Sequence, residues 1–419
     1  MSKLIINGGN KLYGEITAES AKNGLLPLLS ACILYEGKVT FINCPKIKDI
    51  LVMLEIIKYL GGKYTFNNGN LTVDCSSLHS YELPCELTKK IRASIFTIGA
   101  IIARFRKAYF CMPGGCSIGD RPIDIHLDVF KKLGVEVCGD TIVYCRADRL
   151  NGAEITLKYK SVGATINALL ASITADGKTI IRNVAKEPEI TSLITLLKKF
   201  GAKINGEGTS TLVVNGVKRL KKENVTFYPI SDRIEVGTYV LALLSTGGEI
   251  QINNVNFIHN LSLFKKIQNN TCKMVYEDDK IYIKSSGEGS GLGVVKTAPY
   301  PFFPTDLQPQ ISSYATTLKG ETTIVETVFE NRLKHFDGLK LMGANVLVKG
   351  NTAKIKGVNR LTGANVCAYD LRGGASMVIA GLKCDGETVV SNAEVIDRGY
   401  YNLEEKLLKL GAKIKRTEL

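Results

Sequence analysis

Leu197-Lys198-Lys199-Phe200-Gly201-Ala202-Lys203-Ile204 is the stretch whose reading decides the fold. A helical pattern runs up to Phe200, Gly201 interrupts it, and Ala202-Lys203-Ile204 starts a strand-like alternation. A glycine at that point supplies the left-handed residue that ends a helix, and lysines in the last turn suit the helix dipole. The phrase recurs roughly every 70 residues. It returns as Lys58-Tyr59-Leu60-Gly61-Gly62-Lys63, Phe130-Lys131-Lys132-Leu133-Gly134-Val135, Leu339-Lys340-Leu341-Met342-Gly343-Ala344 and Leu408-Lys409-Leu410-Gly411-Ala412-Lys413-Ile414. A sixth copy, Phe264-Lys265-Lys266-Ile267, lacks the glycine.

Two further signals fall between these copies. One is a turn and short strand, as in Asp176-Gly177-Lys178-Thr179-Ile180-Ile181-Arg182-Asn183 and Asp385-Gly386-Glu387-Thr388-Val389-Val390-Ser391-Asn392. The other is a strand entering a polar loop and an apolar helix, near 16–30, 81–100, 155–171, 225–244, 294–315 and 366–380. Six βαβαββ units result, and none can bury both faces alone. The last is one strand short, and the N-terminal residues Leu4-Ile5-Ile6-Asn7 supply it. This predicts an α/β protein with three units per domain. Residues 1–21 with 231–419 form one lobe and 22–230 the other, with crossings near Glu19–Ala21 and Pro229–Ser231 and a cleft between the lobes.

The 419 residues suffice for two or three domains with real cores. No apolar run is long enough to span a bilayer and the N-terminal apolar stretch is too short for a signal peptide, so a cytoplasmic protein is expected. The 11 cysteines are scattered without a CxxC pair, and the 4 histidines are unclustered. Reduced thiols and no structural metal are therefore expected. A net charge of +14 implies an anionic partner: nucleic acid, a membrane surface or an anionic small molecule. No RNA-binding fingerprint accompanies it.

Chemistry collects in the strand-to-helix loops, which hold Lys22-Asn23, Arg92, Lys160-Ser161-Val162-Gly163, Ser231-Asp232-Arg233, Thr305-Asp306 and Asp370-Leu371-Arg372. Helix N-termini are ready anion sites, and adding Lys or Arg there disfavours the helix unless a ligand needs the charge. Asp232, Asp306 and Asp370 would each also serve as an N-cap. The loop Pro113-Gly114-Gly115-Cys116-Ser117-Ile118-Gly119-Asp120-Arg121-Pro122 offers a thiol and, five residues on, a guanidinium that would favour the thiolate. The same loop reads equally as a surface turn with an incidental cysteine.

Taken in order, these motifs resemble the UDP-N-acetylglucosamine enolpyruvyl transferase family. The match includes Ala21-Lys22-Asn23, Ile91-Arg92-Ala93-Ser94, the loop 113–122 with Ile123-Asp124-Ile125-His126, and Ser161-Val162-Gly163-Ala164-Thr165. It continues through Asp232-Arg233-Ile234-Glu235, Phe303-Pro304-Thr305-Asp306, Glu326-Thr327-Val328-Phe329-Glu330-Asn331-Arg332, Asp370-Leu371-Arg372 and Ile396-Asp397-Arg398. Ser20 departs from a common glycine, and Tyr159 from a lysine of some relatives.

The resemblance implies an EPSP synthase-like fold, two inside-out α/β barrels of three repeats each. It implies transfer of the enolpyruvyl group of phosphoenolpyruvate to the sugar 3-hydroxyl, with release of phosphate and no metal or organic cofactor. Lys22, Arg121 and Arg398 would hold the phosphate of phosphoenolpyruvate, with Arg332 and Arg372 near its carboxylate. Cys116 would help protonate it and would be the residue alkylated by fosfomycin. Asp306 would take or position the sugar hydroxyl proton, and Asn23 would bind the sugar. Arg92, Arg121, Pro122, Ile123, Asp124, His126, Lys160, Ser161, Val162 and Gly163 would bind the nucleotide and diphosphate, and Val328 and Asp370 belong to the same substrate-binding set. Transfer to another acceptor, such as shikimate 3-phosphate, and a basic nucleic-acid-binding paralogue are the alternatives.

Overall fold

The computed structural model describes residues 2–114, 118–119, 122–268, 270 and 272–418. The chain divides into two compact units, one of 2–19, 118–119 and 231–418, the other of 20–114 and 122–230.

Each unit holds three sheets. In the second unit, Glu154–Thr156 pairs in parallel with Lys178–Arg182, which pairs antiparallel with Thr211–Asn215 and through it with Lys203–Asn205. With helices Val162–Ser172 and Pro188–Lys199 between strands, this is a complete βαβαββ repeat. In the first unit Ser2–Asn7 lies between Glu387–Ser391 and Lys413–Glu418, antiparallel to both, so the N-terminal strand completes the last repeat. The six sheets are separate and open; none closes on itself among the described residues.

Within each repeat the first helix is buried nearly all round and the second on one face. Arg233–Thr246, Gln308–Ala315 and Leu371–Lys383 are the enclosed helices of the first unit, and they pack on one another. Enclosure explains why Leu371–Lys383 reads as largely apolar, whereas Gln308–Ala315 buries Gln308, Gln310, Ser312 and Ser313. In contrast, Lys48–Tyr59 and Pro188–Lys199 keep a lysine-bearing outer face.

The repeat phrase works as its residues dictate. Gly201 sits at φ 97°, and its equivalents Gly61, Gly134, Gly343 and Gly411 are likewise left-handed. Asparagine makes the second recurring signature. Asn43, Asn183, Asn254 and Asn392 all have positive φ at the end of the central strand. Three of them donate from Nδ2 to the carbonyl of the parallel neighbour: Asn183 to Leu157 at 2.9 Å, Asn254 to Ala18 at 2.8 Å and Asn392 to Ala368 at 2.8 Å. Asparagine tolerates that backbone region because its short amide bonds locally.

The runs 16–30 and 225–244 contain the passages from one unit to the other: Leu12–Thr17 pairs with Gly248–Asn253 in the first unit, and Val225–Phe227 with Lys38–Phe41 in the second. Other expectations are modified. Ser20 and Ala21 pack with the second unit, where Ala21 N–H donates to the Ile230 carbonyl at 2.8 Å. The strand expected near Tyr81 shrinks to a single bridge, Glu82 to Tyr109, because the chain turns at Pro84 into the short helix Cys85–Thr88. The eleven-thiol expectation is corrected at one pair: Cys85 and Cys111 are disulfide-bonded, with Cα atoms 5.2 Å apart. Leu83 N–H bonds to the Tyr109 carbonyl at 2.8 Å and draws the turn Cys85–Thr88 against the end of Lys107–Cys111. The other eight described cysteines are in no disulfide.

Candidate active site

Asp306 is the centre of the first unit's polar cluster. It follows Pro304 in the short 3-10 turn Thr305–Leu307, which leads into the buried helix Gln308–Ala315. Its Oδ1 meets Arg332 Nη2 at 3.0 Å, and its Oδ2 meets Arg372 Nη2 at 3.2 Å. Both guanidiniums are 3 % exposed at the side chain, whereas Asp306 keeps 26 %, so solvent or substrate reaches the carboxylate rather than the arginines. Arg332 Nε and Arg372 Nη1 are buried and find no hydrogen-bond partner among the described residues. Buried donors left open on charged groups are costly, and an anionic ligand would satisfy them.

The arginines are fixed from behind. Asp370 caps the helix Leu371–Lys383, its Oδ1 accepting the Arg372 and Gly373 N–H groups at 2.9 and 3.1 Å. Burial acts to depress the Arg372 pKa, but Tyr400, Asp306 and Asp232 outweigh it and hold the group above its usual value. Tyr400 stacks its ring 5.2 Å from the guanidinium carbon, and its hydroxyl bonds Thr238 Oγ1 at 2.8 Å and Gln310 Nε2 at 3.0 Å. His335 Nδ1 lies 3.1 Å from the Arg332 carbonyl, and burial pushes its pKa down to about 4, keeping a neutral ring beneath the arginine.

The three aspartates that could have been caps thus separate. Asp232 caps Arg233–Thr246, accepting from Ile234 and Glu235 at 2.8 and 3.1 Å, and Asp370 caps its own helix. Asp306 instead faces the two arginines.

In the second unit, Lys22 opens the buried helix Lys22–Cys32 and its Nζ pairs with Asp49 at 2.6 Å. Asn23 beside it is exposed. Ser161 caps Val162–Ser172, its Oγ accepting from Ala164 N at 3.2 Å. Gly163 lies where a Cβ would press on His126 and Phe96. Asn167 Oδ1 takes the Gly99 N–H at 2.8 Å and its Nδ2 donates to the Ile95 carbonyl, so Nδ2 also faces His126 Nδ1 at 2.7 Å. With Nδ1 accepting, the ring proton of neutral His126 sits on Nε2, the edge toward Gly163.

Arg92 Nη1 donates to the Pro113 carbonyl at 3.3 Å, at the start of the glycine-rich loop. Ile123 is buried ahead of the helix Asp124–Lys132, while Pro122, Asp124 and Lys160 are exposed; Asp124 lies 3.9 Å from Lys158.

The structure therefore brings together Asp306, Arg332, Arg372 and Asp370 in one unit, and His126 with Gly163 in the other. Arg398 ends the 3-10 segment Ala393–Arg398, and Val328 lies on the exposed loop before Arg332. Cys116 and Arg121 lie outside the described residues. Within the same loop the Ile118 carbonyl accepts from Asn331 N–H at 3.0 Å, and residues 118–119 group with the first unit while 113–114 and 122 group with the second. Sequence reasoning missed Asp49, Asn167 and Glu326. Only Glu326 had a signal, since it stands inside a motif that was otherwise read for Val328 and Arg332. No group of three or more His, Cys, Asp or Glu that could hold a metal occurs among the described residues, and none of their helices is long and apolar enough to cross a membrane.

Comparison with known proteins gives a consistent picture. The family model for EPSP synthase (3-phosphoshikimate 1-carboxyvinyltransferase) matches residues 6–407. UDP-N-acetylglucosamine 1-carboxyvinyltransferase 2 of Caldanaerobacter subterraneus subsp. tengcongensis is 46% identical over 417 residues, covering 99% of this chain and 100% of the relative. The protein of the same name from Bacillus subtilis is 44% identical, covering 100% of this chain and 97% of its own. Among solved structures, the enolpyruvyl transferase NikO from Streptomyces tendae superposes with a TM-score of 0.89 at 26% identity, over 99% of each chain. EPSP synthase from Acinetobacter baumannii gives 0.75 at 17% identity over 100% of both chains, a likeness of fold.

Proposed function

The chain belongs to the EPSP synthase family and, within it, to the UDP-N-acetylglucosamine 1-carboxyvinyltransferases, and from that premise we propose how its residues perform the transfer. The enolpyruvyl group of phosphoenolpyruvate passes to the 3-hydroxyl of UDP-N-acetylglucosamine, and phosphate leaves, in the first committed step of peptidoglycan synthesis. The reaction takes place in the cytoplasm.

The observation that carries this reading is Asp306 held between two buried guanidiniums that each keep an N–H open. The open donors suit a small, multiply charged anion, and planar guanidinium groups suit a carboxylate. Asp306 is the exposed member of the cluster, so it can reach a sugar hydroxyl. Both of its oxygens are engaged by arginines, and an incoming anion that draws on the same guanidiniums frees one of them to meet the sugar hydroxyl.

Addition then proceeds as the 3-oxygen bonds to C2 of phosphoenolpyruvate, with a proton delivered to C3. The tetrahedral intermediate collapses by losing that position's proton and the phosphate. Lys22, Arg121 and Arg398 hold the phosphate. Cys116 aids the proton delivery and is the group that fosfomycin would alkylate. The N-terminus of Val162–Ser172, with Ser161, Val162, Gly163 and Lys160, joins Arg92, Pro122, Ile123, Asp124 and His126 in receiving the nucleotide diphosphate, as unpaired helix N–H groups favour anions.

A phosphate-release assay tests this reading. Release should require both phosphoenolpyruvate and UDP-N-acetylglucosamine and should fail with shikimate 3-phosphate in place of the sugar nucleotide. Release with shikimate 3-phosphate, or none with UDP-N-acetylglucosamine, overturns it.

A further inference from the structure

Glu326 is 2 % exposed, yet no lysine or arginine is paired with it among the described ion pairs. A buried carboxylate without a cation is held by hydrogen bonds or not at all. Here there are four. Its Oε1 accepts from Thr297 Oγ1 at 2.9 Å, from the Val328 N–H at 2.8 Å and from the Phe329 N–H at 3.2 Å. Its Oε2 accepts from Thr305 Oγ1 at 2.9 Å. Thr297 Oγ1 itself receives the Thr327 N–H at 2.9 Å, which leaves its proton for Glu326.

One carboxylate thus ties together three chain segments distant in sequence: the strand exit at Thr297, the turn carrying Asp306, and the loop from Val328 to Arg332. Two of these carry candidate site residues. Thr305 is the residue next to Asp306, and the turn that contains them is only three residues long, so fixing the Thr305 hydroxyl restricts where Asp306 can point. The Arg332 clamp grips the Asp306 side chain from the same loop that Glu326 holds by its backbone.

We propose that Glu326 is a positioning residue for the transfer: it sets the spacing between Asp306 and the backbone at Val328, so that the proton-accepting carboxylate and the loop meeting the sugar nucleotide are held in one geometry. This rests on the roles given above to Asp306 and Val328. A merely structural glutamate would affect how much protein folds; a positioning one affects the rate of the folded enzyme, because displacements of about 1 Å at a reacting group can cost roughly 100-fold.

Glu326 acts on Asp306 through Thr305, and a set of variants separates this arm from the Val328 arm. Thr305→Val removes the hydroxyl while keeping the shape, and should lower kcat about tenfold with the KM for UDP-N-acetylglucosamine within about twofold of wild type. Glu326→Ala cuts both arms, and should lower kcat similarly and also raise that KM. Glu326→Gln keeps an oxygen for the loop N–H groups and offers Nε2 to Thr305 Oγ1, so it should recover most of the rate. The double variant Thr305→Val/Glu326→Ala should turn over no more slowly than Glu326→Ala alone, as expected for two residues on one path.

Rates are taken per folded, substrate-protectable enzyme, so that a stability loss does not enter. Thr305→Val with kcat within twofold of wild type, or single-variant effects that multiply in the double variant, overturns the proposal while leaving the transferase reading intact. Absence of phosphate release from wild type overturns both. Thr305→Val keeps the test decisive if Glu326→Ala fails to fold.

Discussion

The Asp306 cluster and the Ser161–His126 cluster are built in opposite ways. In the first, charge meets charge: a carboxylate lies between two buried guanidiniums, and donors are left open. In the second, the polar groups satisfy one another. Ser161 caps a helix, Asn167 uses its oxygen on Gly99 and its amide on Ile95 and His126, and Gly163 is a close steric fit. A region with open charged donors is poised for a ligand that changes charge during reaction, whereas one made of caps and neutral contacts suits recognition of a ligand that stays the same. The two regions should therefore fail differently when damaged.

The largest expected effect falls on the first. Asp306→Ala should lower kcat by roughly 10²- to 10⁴-fold, the usual worth of a positioned base, with a smaller change in KM for the sugar nucleotide. Steady-state kinetics on folded protein measures it. Near-normal turnover would make the carboxylate a structural counter-ion for Arg332 and Arg372, and would erase the contrast drawn between the regions.

A second expected effect concerns what supports the charged cluster. His335 is buried under Arg332 with its pKa pushed down to about 4 from 6.5 by desolvation. The unfolded chain takes up that proton below pH 6.5, while the folded protein refuses it until about pH 4. Stability from this group is therefore complete above pH 6.5 and falls as pH drops from 6.5 toward 4, by about 3 kcal/mol at most. His335→Gln keeps a donor for the Arg332 carbonyl and does not titrate, so its melting temperature should fall less over the same window. Equal pH dependence in both proteins would show that the cluster's footing is not the neutral imidazole.

Much of this was legible in the residues. The repeat phrase located five left-handed glycines, because a helix ending in a strand leaves few alternatives to glycine there. The N-terminal strand could be assigned to the last repeat because that repeat lacked one. Arg372 and Asp306 stood in the polar strand-to-helix loops, whereas Arg332 entered only through the family resemblance. What the sequence could not show is which aspartate caps a helix and which meets the arginines, since Asp232, Asp306 and Asp370 occupy similar local settings and only tertiary contacts to Arg332 and Arg372 distinguish them. Asp49 and Asn167 were invisible for the same reason: each acts on a residue far along the chain, and nothing in its own neighbourhood marks it. The Cys85–Cys111 pair was missed because the sequence separation of 26 carries no spacing signature, and only the packing of a short turn against a strand end brings the sulfurs together.

The smallest effect tests the recognition side. Ser161→Ala removes one cap acceptor, from Ala164 N–H, and should cost about 1 kcal/mol of stability. The freed N–H lies at the end of the helix proposed to receive the diphosphate, and a bound anion would take over the lost hydrogen bond only in part. The expected kinetic signature is a KM for UDP-N-acetylglucosamine raised a few-fold with kcat unchanged, because a contact made equally in ground state and transition state moves KM alone. Should Ser161→Ala lower kcat while leaving KM alone, the helix N-terminus would be taking part in the chemical step, and the division between a reacting region and a recognising one would have to be redrawn.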